Sequence, residues 1–229
     1  MSFTLTWIVS VILLLVSFFA IIFIAKFFTK PIDEYKFSFM RIFPFEVINH
    51  TENVSKIYSS FLYLFSGVLF TPFIVLLEGT NKLKSINPLS LIICTTFALS
   101  GIIFIFLHFF DVTHVKVHLF LFVLFAFLTL LSGALSFTRA IVAHNMCINY
   151  GNNEPIFIVC EVINAIFIIF TLIVILNPKL KFWARLEETK EGTNKYRRPK
   201  RFVLAYSEWA LFICLTGNEL LYFVQLLVK

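Results

Sequence analysis

Charge is what this chain has least of. Asp, Glu, Lys and Arg make up 14% of its 229 residues, against 59% hydrophobic residues and a mean hydropathy of +0.91. A water-soluble domain of this size must cover its surface with many more polar side chains, so that class is excluded. Alternating apolar and polar residues in segments of about ten are absent too, and with them the signature of a membrane β-barrel. The four cysteines (Cys94, Cys147, Cys160, Cys214) have no paired spacing. Neither a disulfide framework nor a zinc site is expected, and no cofactor is implied. Three of them lie in apolar runs, where cysteine behaves as a small apolar side chain. The first apolar run is too long for a signal-peptide core and lacks a basic leader and a clear small-residue cleavage site, which predicts a retained anchor. No stretch announces a reaction.

What is present is apolar length. Crossing the hydrocarbon core takes about 20 residues of helix, and six segments qualify: 3–25, 57–77, 89–110, 115–137, 155–176 and 202–227. They consume most of the chain and leave no room for an extramembrane domain. The expected fold is an all-α integral membrane protein, one bundle of six transmembrane helices joined by short links. Thirty-one phenylalanines suit lipid-facing and tightly packed intramembrane surfaces.

The links carry the polar chemistry. Residues 26–56 mix basic residues with Phe27, Phe28, Phe37, Phe39, Phe43 and Phe45, a composition typical of the membrane–water interface. Pro72 lies inside the second span, where it should kink the helix. The stretch 108–136 holds three of the five histidines, with Asp111, His114 and His118 at a tight turn between the third and fourth spans. Residues 139–153 read as a link, with Pro155 suited to the first turn of the next helix. Glu161 and Asn164 are three residues apart and share a helix face. The link 179–201 holds nine Lys/Arg. A polybasic segment beside a membrane reads as a cytoplasmic loop, with Arg197, Arg198, Lys200 and Arg201 the expected contacts to anionic lipid headgroups. It is short and tethered to the bilayer, so nucleic acid is not an expected partner. In the last span Glu208 and Glu219 are eleven residues apart, close to three turns, and share a face. Membrane-embedded carboxylates are costly and face the bundle interior or a wet cavity.

Sidedness has two readings. The odd-numbered links hold fifteen Lys/Arg (five, one and nine) and the other side holds four. The positive-inside rule then places both termini outside the cytoplasm. Two glycosylation-type triplets in the first link, Asn49-His50-Thr51 and Asn53-Val54-Ser55, point the other way.

Three groups of residues carry a likeness to a known family. Pro44-Phe45, followed by polar residues to Asn53, precedes the second span. Asp111, His114 and His118 mark the third-to-fourth hairpin. Ser207-Glu208-Trp209, with Gly217 and Leu220-Leu221-Tyr222, fills the last helix. Together with the order and number of spans, these resemble the DRAM/Frag-type family, six-span proteins related to damage-regulated autophagy modulator. The resemblance implies non-enzymatic work: regulating or organising membrane lipids, or a part in endomembrane trafficking or autophagy, in endomembranes or the plasma membrane. Lipids, and partner membrane proteins, would be its associates. It also implies cytoplasmic termini, against the charge count.

Two other functions compete with a regulator. A transporter would use Glu161, Glu208 and Glu219 as proton or cation sites, although no internal repeat relates the two halves. An intramembrane enzyme would use Asp111, His114 and His118, since residues 114 and 118 share a face on a continuous helix as metal ligands can. The sequence favours the regulator, then the transporter, then the enzyme. It also predicts that Glu208 is structural or ligand-contacting and meets His118 or a basic residue at the same depth.

Overall fold

The computed structural model describes residues 3–29, 37–51, 53–80, 87–110, 115–149, 155–182, 187–188, 196–197 and 202–227. Seven helices hold most of these: α1 (Phe3–Phe28), α2 (Ser55–Val68), α3 (Thr71–Thr80), α4 (Pro88–Phe109), α5 (Val115–Asn149), α6 (Pro155–Ile175) and α7 (Val203–Leu227). α2 and α3 are two halves of one span, so six segments are long and apolar enough to cross a membrane. The fold is all-α, a six-span bundle. The basic link contributes a two-residue antiparallel ladder, β1 (Glu187–Glu188) with β2 (Tyr196–Arg197).

Local chemistry sets several helix boundaries. Asn87 caps α4, its side-chain oxygen accepting from the Leu89 N–H at 2.9 Å, with Pro88 in the first turn. Pro155 opens α6 as expected. The second span breaks at Leu69–Phe70, just ahead of Pro72. Proline lacks an N–H and its ring crowds the preceding turn, so the helix stops and restarts. The Thr71 hydroxyl donates to the Val68 carbonyl at 2.8 Å, which satisfies one group the break frees.

Two expectations need correction. The fourth span does not end at residue 137: α5 is 35 residues long, and 139–149 is helix, not link. Residues 134–150 contain neither Gly nor Pro, so nothing stops the helix before Gly151. At 1.5 Å per residue α5 is about 52 Å long, well beyond a hydrocarbon core of about 30 Å. The first link also differs. Residues 37–51 do not spread along the interface; Ile42, Phe43, Phe45 and Val47 are buried in the core. This segment forms a plug across one end of the bundle.

α7 is the axis of the molecule. Sixteen of its 25 residues are buried, against five of 21 in α6. It packs on α5, α6, α1 and α3, while α1, α2, α4, α5 and α6 each contact the next around it. The arrangement follows from the solvent. Lipid tails are as apolar as leucine, so the span of lowest hydropathy gains most by leaving lipid. α1 shows the same sorting within one helix. Thr6, Ser10, Leu14, Ser17 and Ile21 form its buried stripe at spacings of three and four, while Leu5, Ile12, Val16, Phe19 and Phe23 face outward. The buried hydroxyls are satisfied locally: Ser10 donates to the Thr6 carbonyl at 2.8 Å and Ser17 to Leu14 at 3.0 Å.

Phenylalanines fill the centre. The Phe212 ring of α7 stacks on Phe104 of α4 (5.6 Å between centroids) and Phe18 of α1 (5.1 Å), and meets Phe65 of α2 at 4.6 Å. Close backbone approach also shapes the packing. A methyl group at Gly101 would stand 2.6 Å from the Ser66 carbonyl oxygen, so α2 and α4 touch there through glycine.

Candidate functional site

The plug end brings together part of each motif group of the sequence: Pro44-Phe45, His118 and Glu208-Trp209. Tyr58 at the start of α2 donates its O–H to the Pro44 carbonyl at 2.6 Å. Trp209 in α7 donates its ring N–H to the Ile42 carbonyl at 2.8 Å. The Phe202 N–H donates to the Met40 carbonyl at 2.6 Å. Phe43 meets the rings of Phe202 and His118, and Phe39 packs edge-on against Trp209 at 4.9 Å. The proline-aromatic pair, the histidine of the hairpin and the Glu-Trp pair therefore form one buried assembly. Aromatic rings supply its area, and three bonds to plug carbonyls set its register.

At its centre Glu208 meets His118, one of the two kinds of partner the sequence offers. His118 Nε2 is 2.7 Å from Glu208 Oε1, and both side chains are buried. His118 Nδ1 is 2.7 Å from the Phe110 carbonyl. A carbonyl only accepts, so Nδ1 carries a hydrogen. The Nε2–Oε1 contact then holds one more proton. It is either an imidazolium donating to a carboxylate or a carboxylic acid donating to a neutral imidazole, and both forms make the bond. The histidine orients α5 against α7 and the hairpin.

Of the six polar residues singled out in the sequence, the four that the structure describes lie in three places. His118 and Glu208 pair at the plug. Glu161 lies on the side of α6 that faces α5, partly exposed, where its carboxylate meets His144 Nδ1 at 3.0 Å. Asn164, on the same face, is fully buried near Ser136. Glu219 is buried eleven residues beyond Glu208, about 16 Å along the axis, toward the opposite end. Asp111 and His114 lie outside the described residues, as do Arg198, Lys200 and Arg201; Arg197 is in β2. Among the described residues no group of three His, Cys, Asp or Glu could hold a metal ion.

Beside the plug is an open groove of about 370 Å³, lined by Met40, Lys179, Val203 and Tyr206. Asn177, after α6, donates its side-chain N–H to the Tyr206 oxygen at 3.0 Å and accepts the Lys179 backbone N–H at 3.0 Å. Asn177 thus fixes the phenol and the start of the lysine's turn in one frame. Lys179 is exposed, and apolar surface borders it: Leu176 is 73% exposed. Sequence reading missed this groove. Lys179 appears there as one of nine cations, and only folding puts Met40 and Tyr206 beside it.

A second polar layer crosses the bundle toward the far end. Arg139 of α5, expected in a link, lies within a helix and binds inward. Its Nε donates to Ser90 Oγ at 3.1 Å, an Nη donates to Gln225 Oε1 at 3.3 Å, and the guanidinium stands 5.1 Å over the Tyr222 ring. Tyr222 O–H donates to the Ser90 carbonyl at 3.3 Å and lies 3.4 Å from Cys94 Sγ. Gln225 donates to the Ser136 carbonyl at 3.2 Å, and Asn218 to the Thr129 carbonyl at 3.3 Å. This layer joins α4, α5 and α7 by hydrogen bonds gathered around the Arg139 guanidinium. No protein-family model, no curated protein and no solved structure matches the chain.

Proposed function

We propose that this six-span protein works without catalysis, as a regulator or organiser of membrane lipids that takes an anionic phospholipid headgroup in the groove of Met40, Lys179, Val203 and Tyr206. The groove carries the reading. It combines a cation and a phenol with apolar walls, where the chain passes from α6 to α7 at the edge of the membrane-spanning region. A phosphate would receive the Lys179 ammonium and the Tyr206 O–H, while an acyl chain follows the exposed apolar face beside Leu176 and Ile173. Nine Lys/Arg in the adjoining link enrich the same lipids nearby, each contributing about 1 kcal/mol at the surface of an anionic membrane. The plug couples the groove to the core, because Met40 bonds Phe202 and Tyr206 lies two residues before Glu208. Lipid occupancy would in this way bias how the plug seats. The DRAM/Frag-type resemblance agrees with such work in an endomembrane or the plasma membrane, in trafficking or autophagy, alongside partner membrane proteins.

The test is native mass spectrometry of the full-length protein in mixed micelles with equal phosphatidylserine and phosphatidylcholine. Retention should favour the anionic lipid, and Lys179→Glu with Tyr206→Phe should abolish the preference without changing elution on size exclusion. Equal retention of both lipids, or an unchanged preference in the double variant, refutes the groove as the site.

A further inference from the structure

Glu219 lies deep in α7 with no exposed surface, and neither carboxyl oxygen has a hydrogen-bond partner among the described residues. Its neighbours along the helix each make at least one bond, although Glu208 Oε2 and Asn218 Oδ1 have no partner among the described residues. Glu208 has His118, Asn218 has the Thr129 carbonyl, Tyr222 has Ser90, and Gln225 has Ser136 and Arg139. A bare carboxylate in a low-dielectric interior costs several kcal/mol, so membrane proteins keep one only where something positive meets it.

The surrounding titratable groups do not meet it. α4 offers Cys94, bonded to Tyr222 of α7 itself. α5 offers Arg139, whose contacts are Ser90, Gln225 and the Tyr222 ring. α3 offers Glu78, hydrogen-bonded to Thr6 of α1. α6 offers Cys160 and also Glu161, the latter facing His144. Two further oxygens in this half of the bundle, Asn164 Oδ1 and Asn218 Oδ1, are also buried without a partner among the described residues. The unfilled buried atoms of α6 and the second half of α7 are thus all oxygens, the donor type that suits a hard cation.

From these observations we infer that Glu219 is the anchor of a buried cation site, taking a proton or a small monovalent cation from the end of the bundle that Arg139 marks. The shared chemistry is a positive charge on a carboxylate. Access follows the polar layer, from half-exposed Arg139 through Gln225, Ser90 and Tyr222 to Cys94, which lies within electrostatic reach of Glu219. The site stands apart from the lipid groove, which is at the other end of α7, and neither depends on the other.

Dicyclohexylcarbodiimide, an apolar reagent that modifies buried protonated carboxyls, tests this on the full-length protein in liposomes, with peptide mass spectrometry reading the adduct. Glu219 should be labelled, and the labelling should be lost in one of two ways. Loss on raising the pH, with Na⁺ and choline equivalent, identifies the proton. Loss on adding Na⁺ in place of choline at fixed pH identifies the metal cation. In parallel, the melting temperature of the wild type should shift with the same variable, and Glu219→Gln should remove that shift. The inference is overturned if Glu219 stays unlabelled under all conditions, or if its label responds to neither variable. Should Glu219→Gln fail to fold, wild-type labelling decides alone.

Discussion

Removing His118 should damage this protein more than removing the charge of its partner. The imidazole makes two bonds of 2.7 Å, to the Phe110 carbonyl and to Glu208 Oε1, in a site with almost no exposed surface. A hydrogen bond to a charged group is worth about 1.5–3 kcal/mol. Removing one member of a buried pair costs about 3–5 kcal/mol, because the other is left without a partner. His118→Ala therefore strands both a carboxyl and a backbone carbonyl, and it opens a gap beside Phe43. At about 2–4 °C per kcal/mol for a chain of this length, the melting temperature should fall by roughly 6–20 °C. Glu208→Gln behaves differently. The amide keeps an acceptor and gains donors, so it can donate to the Nε2 of a neutral imidazole, and the loss should stay near or below about 1 kcal/mol. Glu208→Ala leaves Nε2 without a partner and should fall between the two. The assay is fluorescence-detected size exclusion after a heating series in detergent, on the three variants and on the double variant His118→Ala/Glu208→Ala. The double variant should cost less than the two single losses added together, since neither partner is stranded. A Glu208→Gln variant as unstable as Glu208→Ala, or a neutral His118→Ala, refutes the reasoning.

Other outcomes follow from the same structure. Gly101→Ala puts a methyl group 2.6 Å from the Ser66 carbonyl and should cost about 1–3 kcal/mol, while Gly67→Ala meets nothing within 4 Å and should be neutral or slightly stabilising; equal effects by the heating assay would refute the close α2–α4 contact. Trp209→Phe keeps most of the ring packing but loses the bond to the Ile42 carbonyl, so it should cost about 1–2 kcal/mol and make the plug around residues 37–51 more open to limited proteolysis. For sidedness, a cysteine at Thr193 in a Cys147→Ser background should be shielded from an impermeant thiol reagent in intact cells, as expected for a link with nine Lys/Arg; labelling from outside would favour the inverted topology and make Asn49 and Asn53 plausible glycan acceptors.

The sequence by itself determined the number of spans, the class of fold and the break at Pro72. Apolar run length and proline chemistry act locally, and the bilayer converts length directly into topology. It also narrowed the partner of Glu208 to His118 or a basic residue at the same depth, because a buried carboxylate needs a partner and the order of spans leaves few; the structure selects His118. It misjudged the end of α5: charged and polar residues at 139–149 suggested a link, yet helical backbone bonding persists wherever neither glycine nor proline interrupts it, and Arg139 can be satisfied by Ser90 and Gln225. Only tertiary structure decided that residues 37–51 enter the core, since a phenylalanine-rich link reads the same at an interface as in a plug. Only it decided, too, that Glu161 belongs with His144 while Glu219 stands alone. Helical spacing tells which side chains share a face, but which neighbouring helix that face meets depends on how all six spans pack together.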